Sequence, residues 1–224
     1  MVSKIETKTI SFENMMKLFK KYVAKSESRP VLEHVYFDGE SFRATNTHVL
    51  LKVNAEYVSD IPQGYPETFL YDPKTMTLNE SNMNYPETSR IIPNYSEATI
   101  TLNNKNIKEL QDVLKESKKI AKNHKNKNIH MEFNSTGAII KAEYIDKDKT
   151  KEEYRSTIDN LLADGKEIKL DANVQYMQDA LVVAKKLSKL NGESTQINLI
   201  SNMRPIVFSQ KDIFELLVMP VRIK

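Results

Sequence analysis

Three segments of the chain share one order of predicted elements: a short strand, an amphipathic helix and then further strands. In the first segment, alternating polar and apolar residues over 4–10 predict a strand, and Ser11 follows as the predicted helix N-cap. After Pro30, further strands are predicted at 31–37, 42–44 and 49–53, with a hairpin turn at Asp38-Gly39. The helix between them is predicted from apolar residues that recur at helical spacing and form one stripe: Phe12, Met15, Met16, Phe19, Tyr22 and Val23.

The second and third segments repeat this order. In the second, strands are expected at 98–102, 129–133 and 138–145, with a helix at 106–122 after the first of them. That helix places Ile107, Leu110, Leu114 and Ala121 on its buried side. In the third, a strand at 167–170 precedes a helix at 174–190, which ends at Asn191-Gly192. Strands at 196–200, 206–209 and 214–221 complete the segment.

This repeat predicts an α+β fold that arose by duplication, with antiparallel sheets and helices on one face. Residues 59–96 hold five prolines and no helical periodicity, so we expect extended strands and turns there. We place a domain boundary at the end of this stretch, which gives domains 1–96 and 97–224. The charged residues 146–153 predict an exposed loop.

Composition excludes several classes of protein. The chain has no cysteine, which excludes a disulfide scaffold, a thiol nucleophile and a cysteine zinc site, and fits a reducing compartment. Its N-terminus has no long apolar stretch, and no run of about 18 apolar residues occurs anywhere. We therefore expect a cytoplasmic protein without a signal peptide or a membrane partner.

Recognisable catalytic and cofactor motifs are missing. The sequence contains no phosphate-binding or dinucleotide-binding glycine loop, no GxSxG and no HExxH. His124 and His130 lack the further ligands of a zinc site, and Asp146 and Asp148 lack the glycine and glutamate of a calcium loop. We predict no catalytic residue, no cofactor, no metal and no enzymatic activity.

The lysines are more informative than the net charge of +3, because they cluster on the polar sides of the three predicted helices. For one helix, a solvated surface is the simpler interpretation. The same basic bias in three repeated units favours a common surface that attracts phosphates without reading bases. The predicted DNA-binding residues are Lys17, Lys20, Lys21, Lys108, Lys115, Lys119, Lys122, Lys185, Lys186 and Lys189.

Four short motifs, in the right order, resemble the bacterial DNA sliding clamp, the beta subunit of DNA polymerase III. Residues 29–51, RPVLEHVYFDGESFRATNTHVLL, resemble its middle domain, and Thr45–Leu50 resembles the family's Thr-Asp-Gly-His-Arg-Leu. Residues 85–93, YPETSRIIP, resemble the link into its last domain. Residues 171–179, DANVQYMQD, and the end of the chain, LLVMPVRIK, resemble segments of that last domain.

The resemblance implies a ring with helices lining a DNA channel, sheets outside, and a pocket for short apolar client peptides. Carried over by motif, the pocket residues are Leu32, Thr45, His48, Leu50, Pro86, Arg90, Ile91, Leu217, Met219, Pro220, Val221 and Arg222. Leu32, Leu50, Ile91 and Met219 would supply an apolar floor, and a methionine adapts to varied ligands. Without the resemblance, these apolar residues would be read as core.

Three departures from the family qualify what the resemblance implies. Thr47 stands where the family has glycine, and Val49 where it has arginine. The family has three domains per chain, whereas this chain has room for two, which suggests a shortened clamp of phage or mobile-element origin.

We therefore expect a replication processivity factor, a homo-oligomeric ring that binds duplex DNA and tethers a polymerase and clamp loader through their peptides. The first alternative is a clamp mimic that captures such peptides without encircling DNA. The second is an enzyme on an unrelated α+β fold.

Overall fold

The structure is a computed structural model, and it describes residues 8–25, 28–79, 83–123, 127–145 and 147–221. The first part of the chain forms one helix and seven strands within these ranges. They are β1 (Ile10–Ser11), α1 (Phe12–Phe19), β2 (Val35–Phe37), β3 (Ser41–Thr45), β4 (Val49–Asn54), β5 (Val58–Ser59), β6 (Phe69–Asp72) and β7 (Thr77–Asn79).

The rest of the chain contains two complete strand–helix–strands units. The first is β8 (Ala98–Leu102), α2 (Asn104–Ala121), β9 (Asn128–Asn134), β10 (Gly137–Ile145) and β11 (Lys151–Ile158). The second is β12 (Ala163–Gly165), β13 (Ile168–Asn173), α3 (Val174–Leu187), β14 (Thr195–Leu199), β15 (Ile206–Gln210) and β16 (Phe214–Val218).

These two units exchange strands. Strand β8 opens the first unit but pairs with β14 of the second, and β13 pairs in turn with β9 of the first. The four-stranded sheet therefore runs β11-β10-β9-β13, and both exchanges are antiparallel. Each unit relies on the other to complete its sheet, so neither buries its apolar face alone.

A ten-stranded sheet joins the two parts of the chain, in the order β12-β8-β14-β15-β16-β4-β3-β2-β6-β7. The join is the antiparallel pair of β16 with β4, in which Leu217 lies opposite Leu50 and Val218 opposite Val49. Strands 163 residues apart in sequence thus become neighbours, as the ion pair of Lys52 with Glu215 across them also shows.

The first part keeps one unit and a remnant of a second. Strand β6 pairs antiparallel with β2, just as β13 pairs antiparallel with β9 in the other part of the chain. A helix follows β13, whereas β6 continues through a turn into β7 as a hairpin. Among the described residues of this part, α1 is accordingly the one α-helix.

The helices pack through the apolar stripes that the sequence predicted. On and after α1, the side chains of Phe12, Met15, Met16, Phe19, Tyr22 and Val23 are all buried. Helices α2 and α3 lie against each other and run antiparallel: Lys118 donates to Gln175 (2.5 Å) and Lys185 to Gln111 (3.4 Å). Within the described ranges, no helix is long and apolar enough to cross a membrane.

Three local predictions were wrong. The strand expected at 31–37 is a 3-10 turn, Pro30–Glu33, followed by the shorter β2. The loop expected at 146–153 gives way to β11 at Lys151, an edge strand whose charged side chains hide its alternation. The last strand ends at Val218, well before residue 221. Of the strand expected at 4–10, residues 4–7 lie outside the described part, and β1 begins only at Ile10.

Candidate functional site

The turn between β3 and β4 presents His48 through a set of local hydrogen bonds. The side-chain oxygen of Asn46 accepts from the backbone N–H groups of His48 and Val49, both at 3.0 Å. The hydroxyl of Thr45 donates to the carbonyl of Val49 (2.7 Å) and accepts from the N–H of Thr47 (3.1 Å). Side-chain oxygens thus stand in for a regular hairpin ladder, and His48 is exposed at the tip.

His48 connects this turn to the end of β16 and to α3. Its carbonyl accepts from the N–H of Met219 (2.9 Å), which places the end of β16 beside the turn. Its ring stacks on Tyr176 of α3, with centroids 5.9 Å apart and planes 20° apart. Partial burial, followed by the nearby Asp179 carboxylate, raises the pKa of Tyr176. The motif 171–179 contains Tyr176, but only the fold reveals that its ring meets His48.

A small apolar cluster, separate from the main core, lies at the join of the two parts. It consists of Leu50, Val207 and Leu217, with Ile92 packed against them. Leu50 and Leu217 are only 1% exposed, whereas Met219 and Ile91 are 40% and 50% exposed. Of the four residues predicted to form the apolar floor, Leu32 and Leu50 are therefore already covered by the chain, while Ile91 and Met219 face solvent. Val207 and Ile92 were not predicted as site residues.

The segment 85–93 crosses this junction and is held by polar and aromatic contacts. Tyr85 stacks on Tyr36 (5.1 Å), and Arg43 lies 3.9 Å from Glu87. The Glu87 carboxylate accepts from the hydroxyl and the N–H of Ser89, which lower its pKa. Pro86 and Arg90 are exposed.

The remaining predicted pocket residues lie at the edges of this region. Leu32 is buried in the 3-10 turn before β2 and faces a cleft that His48 also lines. Pro220 and Val221 follow Met219, and the N–H of Val221 donates to the carbonyl of Asp171 (2.8 Å). Arg222 lies outside the described residues.

That cleft, called the basic cleft below, has a volume of about 1160 Å³. Its walls come from the chain after α1, the turn at His48 and the first turns of α3. Its charged lining residues are Lys20, Lys21, Lys25, Arg29, Lys74 and Asp179. The prediction from sequence placed Lys20 and Lys21 on a DNA-binding face; the fold places them here, beside the predicted client pocket.

All ten lysines predicted to bind DNA are exposed. Three of them form ion pairs: Lys17 with Glu13 (2.5 Å), Lys119 with Glu116 (2.5 Å) and Lys21 with Asp179 (2.6 Å). Within the described part of the chain, the other seven form no ion pair. The pair of Lys21 with Asp179 also sets the end of α1 beside α3.

Titratable side chains outside this region are engaged with one another. His130 contacts Asp171 (2.6 Å) and Glu132 (3.4 Å), and Glu132 also binds Lys141 and Lys169. Among the residues that the structure describes, no group of three or more histidine, aspartate or glutamate side chains is arranged to hold a metal ion. His124 and Asp146, considered from the sequence, lie outside those residues.

A family model described as the DNA polymerase III beta subunit, C-terminal domain, matches residues 89–222, more than half of the chain. The chain belongs to this family. The match includes α2, α3 and the strands that they cover, as well as the segment that carries Arg90 and Ile91. No curated protein matches the chain's sequence.

Solved structures of bacterial clamps share the fold of this beta-subunit family member. The sliding clamp of Bacillus subtilis superposes with a TM-score of 0.75 at 21% identity, covering 95% of this chain and 62% of that chain. The beta subunit of Thermotoga maritima gives 0.72 at 17%, covering 95% and 63%. That of Borrelia burgdorferi gives 0.72 at 18%, covering 95% and 62%. The chain thus spans less than two thirds of the length of these clamps, and at such identities the likeness is one of fold.

Proposed function

We propose that the chain is a DNA sliding clamp, a processivity factor that surrounds duplex DNA and tethers a polymerase. The observation that carries the proposal is the order of its layers. One continuous sheet joins both parts of the chain, and α1, α3 and α2 lie side by side, linked by Lys21–Asp179 and Lys118–Gln175. The exposed lysines of these helices would then form one basic surface.

Such a surface binds phosphates electrostatically and carries no information about base sequence. Closure of the ring prevents the protein from dissociating from DNA. Its contacts with the phosphates are weak and the same at every position, so the ring can slide. This mechanism requires no reacting residue, so we propose an accessory subunit without catalysis of its own.

Around DNA, the ring requires several chains. We propose two clamp-like domains, 1–96 and 97–224, with the first reduced in its second unit. Three two-domain chains, or two in an open arrangement, would surround the duplex as a homo-oligomer.

Client binding is the second part of the proposal. The exposed Met219 and Ile91, the tip residue His48, and the apolar cluster beneath them would receive a short apolar peptide from a polymerase or clamp loader. Apolar anchors supply most of the free energy in such complexes. Micromolar affinity, on the order of −8 kcal/mol, is the scale we expect.

One observation favours the alternative, a clamp mimic that captures client peptides without encircling DNA. Lys17, Lys21 and Lys119 already pair with carboxylates of their own chain. These pairs reduce the positive charge that the helices offer to phosphates.

Duplex binding tests the clamp. We expect weak binding, equal for two unrelated sequences, that falls steeply with added salt. Replacing the unpaired Lys108, Lys115 and Lys122 with glutamate should abolish it or, in a milder glutamine version, reduce the salt slope by about 3. Fluorescence anisotropy with labelled duplexes measures both.

The matched control places the same charge change in loops between strands. Lys147 and Lys149 lie between β10 and β11, and Lys211 between β15 and β16. Their triple glutamate variant should bind like the parent protein. An equal loss of duplex affinity in both triple variants would show that net charge alone governs binding. The helix surface would then not be the DNA-binding site.

A further inference from the structure

The described lining residues of the basic cleft carry an excess of positive charge after their ion pairs are counted. Asp179 pairs with Lys21 (2.6 Å), and Lys74 pairs with Glu33 (2.8 Å). The other three cations that line the cleft are exposed and form no ion pair with any described acid: Lys20, Lys25 and Arg29. Among the described residues, the cleft thus offers three cations without an ion-pair partner on one concave surface, where a shared anionic ligand is attracted more strongly than by isolated charges.

The cleft is continuous with the proposed client pocket. His48 lines the cleft, and its carbonyl binds the N–H of Met219 on the pocket side. Leu32, buried at 4% exposure, forms part of the apolar wall together with Val23 and Ala24. A peptide anchored near Met219 can therefore continue past His48 into the cleft without leaving the protein surface.

The lining favours a peptide over a nucleic acid. Single-stranded nucleic acid sites combine positive charge with aromatic faces on which bases stack. Here the ring of Tyr176 is already stacked on His48, and these are the only two rings that line the cleft in the described part of the chain. The volume of about 1160 Å³ exceeds the roughly 300–1,000 Å³ typical of small-molecule sites, so a peptide segment has room.

We propose that the basic cleft binds an acidic segment flanking the apolar anchor of a client peptide, and so selects clients with aspartate or glutamate beside that anchor. This inference rests on the client pocket proposed above. Lys20, Lys25 and Arg29 would pair with the carboxylates, while Met219 and its neighbours hold the anchor.

Two pairs of labelled peptides test the proposal. All share an anchor of leucine and phenylalanine, and the two members of a pair differ only in a flank of aspartates or of asparagines of equal length. One pair carries the flank before the anchor, and the other carries it after the anchor. The parent protein should bind the acidic peptide on the order of tenfold more tightly at low salt, and the preference should shrink as salt is added. Fluorescence anisotropy gives each affinity.

Three variants assign the preference to residues. The triple variant Lys20→Gln, Lys25→Gln and Arg29→Gln should bind both peptides with the affinity of the neutral one. The control, with Lys147, Lys149 and Lys211 changed to glutamine, should keep the preference. Met219→Ala should lower the affinity for both peptides by the same factor, because it truncates the anchor site and leaves the cleft intact.

The outcomes separate this inference from the function on which it rests. Equal affinity for the two peptides in the parent protein overturns the inference and leaves the pocket standing. If neither peptide binds, the pocket is wrong and the inference falls with it. An oligothymidylate that displaces the acidic peptide, and requires the same three cations, would reassign the cleft to nucleic acid and overturn the inference.

Discussion

Thr47 holds a left-handed backbone conformation, with φ of 76°, that a β-branched residue seldom adopts. Its neighbours enforce this conformation, because Asn46 and Thr45 bind the backbone on both sides of it. The strain, about 1–2 kcal/mol for an L-residue, is stored beside His48 at the candidate pocket. Glycine, which the related motif carries at this position, would adopt the same turn without strain.

Replacing Thr47 with glycine should therefore raise the free energy of unfolding by about 1 kcal/mol, since relief of the strain exceeds the entropic cost of glycine. Chemical denaturation measures this change. Thr101→Gly is the control: Thr101 is an exposed residue within β8, and its replacement should lower stability by roughly 0.5–1 kcal/mol. Destabilisation of similar size in both variants would show that Thr47 is not strained.

At the scale of elements, one carboxylate ties three strands of the four-stranded sheet together. Glu132 on β9 binds Lys141 on β10 and Lys169 on β13, and Lys169 lies directly opposite it in the ladder. Lys141 above all, and then Lys169, lower the pKa of Glu132 to about 2, against the opposing effect of burial. The charged form of Glu132 is thus favoured by folding.

A carboxyl group with a lowered pKa stabilises the fold above its unfolded pKa and loses that contribution as pH falls through the folded pKa. Glu132→Gln should cost on the order of 1 kcal/mol at pH 7. The difference in stability between variant and parent should disappear as the pH falls from 4.5, the usual pKa of glutamate, to about 2. Urea denaturation across this range tests it, with the exposed Glu193→Gln as control. A gap that stays constant down to pH 2 would contradict the assignment.

On the scale of the whole molecule, three contacts make the two parts of the chain one surface. Strands β4 and β16 pair, Lys21 binds Asp179, and the carbonyl of His48 binds the N–H of Met219. The sheet side and the helix side are therefore both continuous across the junction. Continuity on both sides is what a segment of a ring needs.

Retention on closed DNA distinguishes a ring from a mimic. A sliding clamp should self-associate and, once assembled, remain on nicked circular DNA but run off after linearisation, because topology rather than affinity holds it. The molar mass from light scattering, with and without DNA, measures self-association. Gel filtration of the DNA-bound fraction then measures retention on circular and linear DNA. A chain that stays a single copy and treats circular and linear DNA alike would support the mimic.

Local structure followed from sequence wherever one residue pattern decides it. The stripe from Phe12 to Val23 is buried as its spacing predicted, and strand 98–102 has the predicted bounds. Helix α3 begins at residue 174, as predicted, and Asn173 caps it by accepting from the N–H of Gln175 (2.9 Å). Helical periodicity, caps and turns involve residues within a few positions of one another, so a single sequence contains the whole signal.

Pairing between distant segments was decided only by tertiary structure. The exchange of β8 with β13, the join of β4 with β16, and the meeting of His48 with Tyr176 each need partners far apart in the chain. The free energy that selects such partners comes from burying shared apolar faces. Many pairings of strands with similar apolar patterns would bury such faces, so the sequence alone does not single out the observed pairing. The basic cleft depends on the same assembly: Lys20, Arg29 and Asp179 acquire a common surface only after the two parts of the chain have packed together.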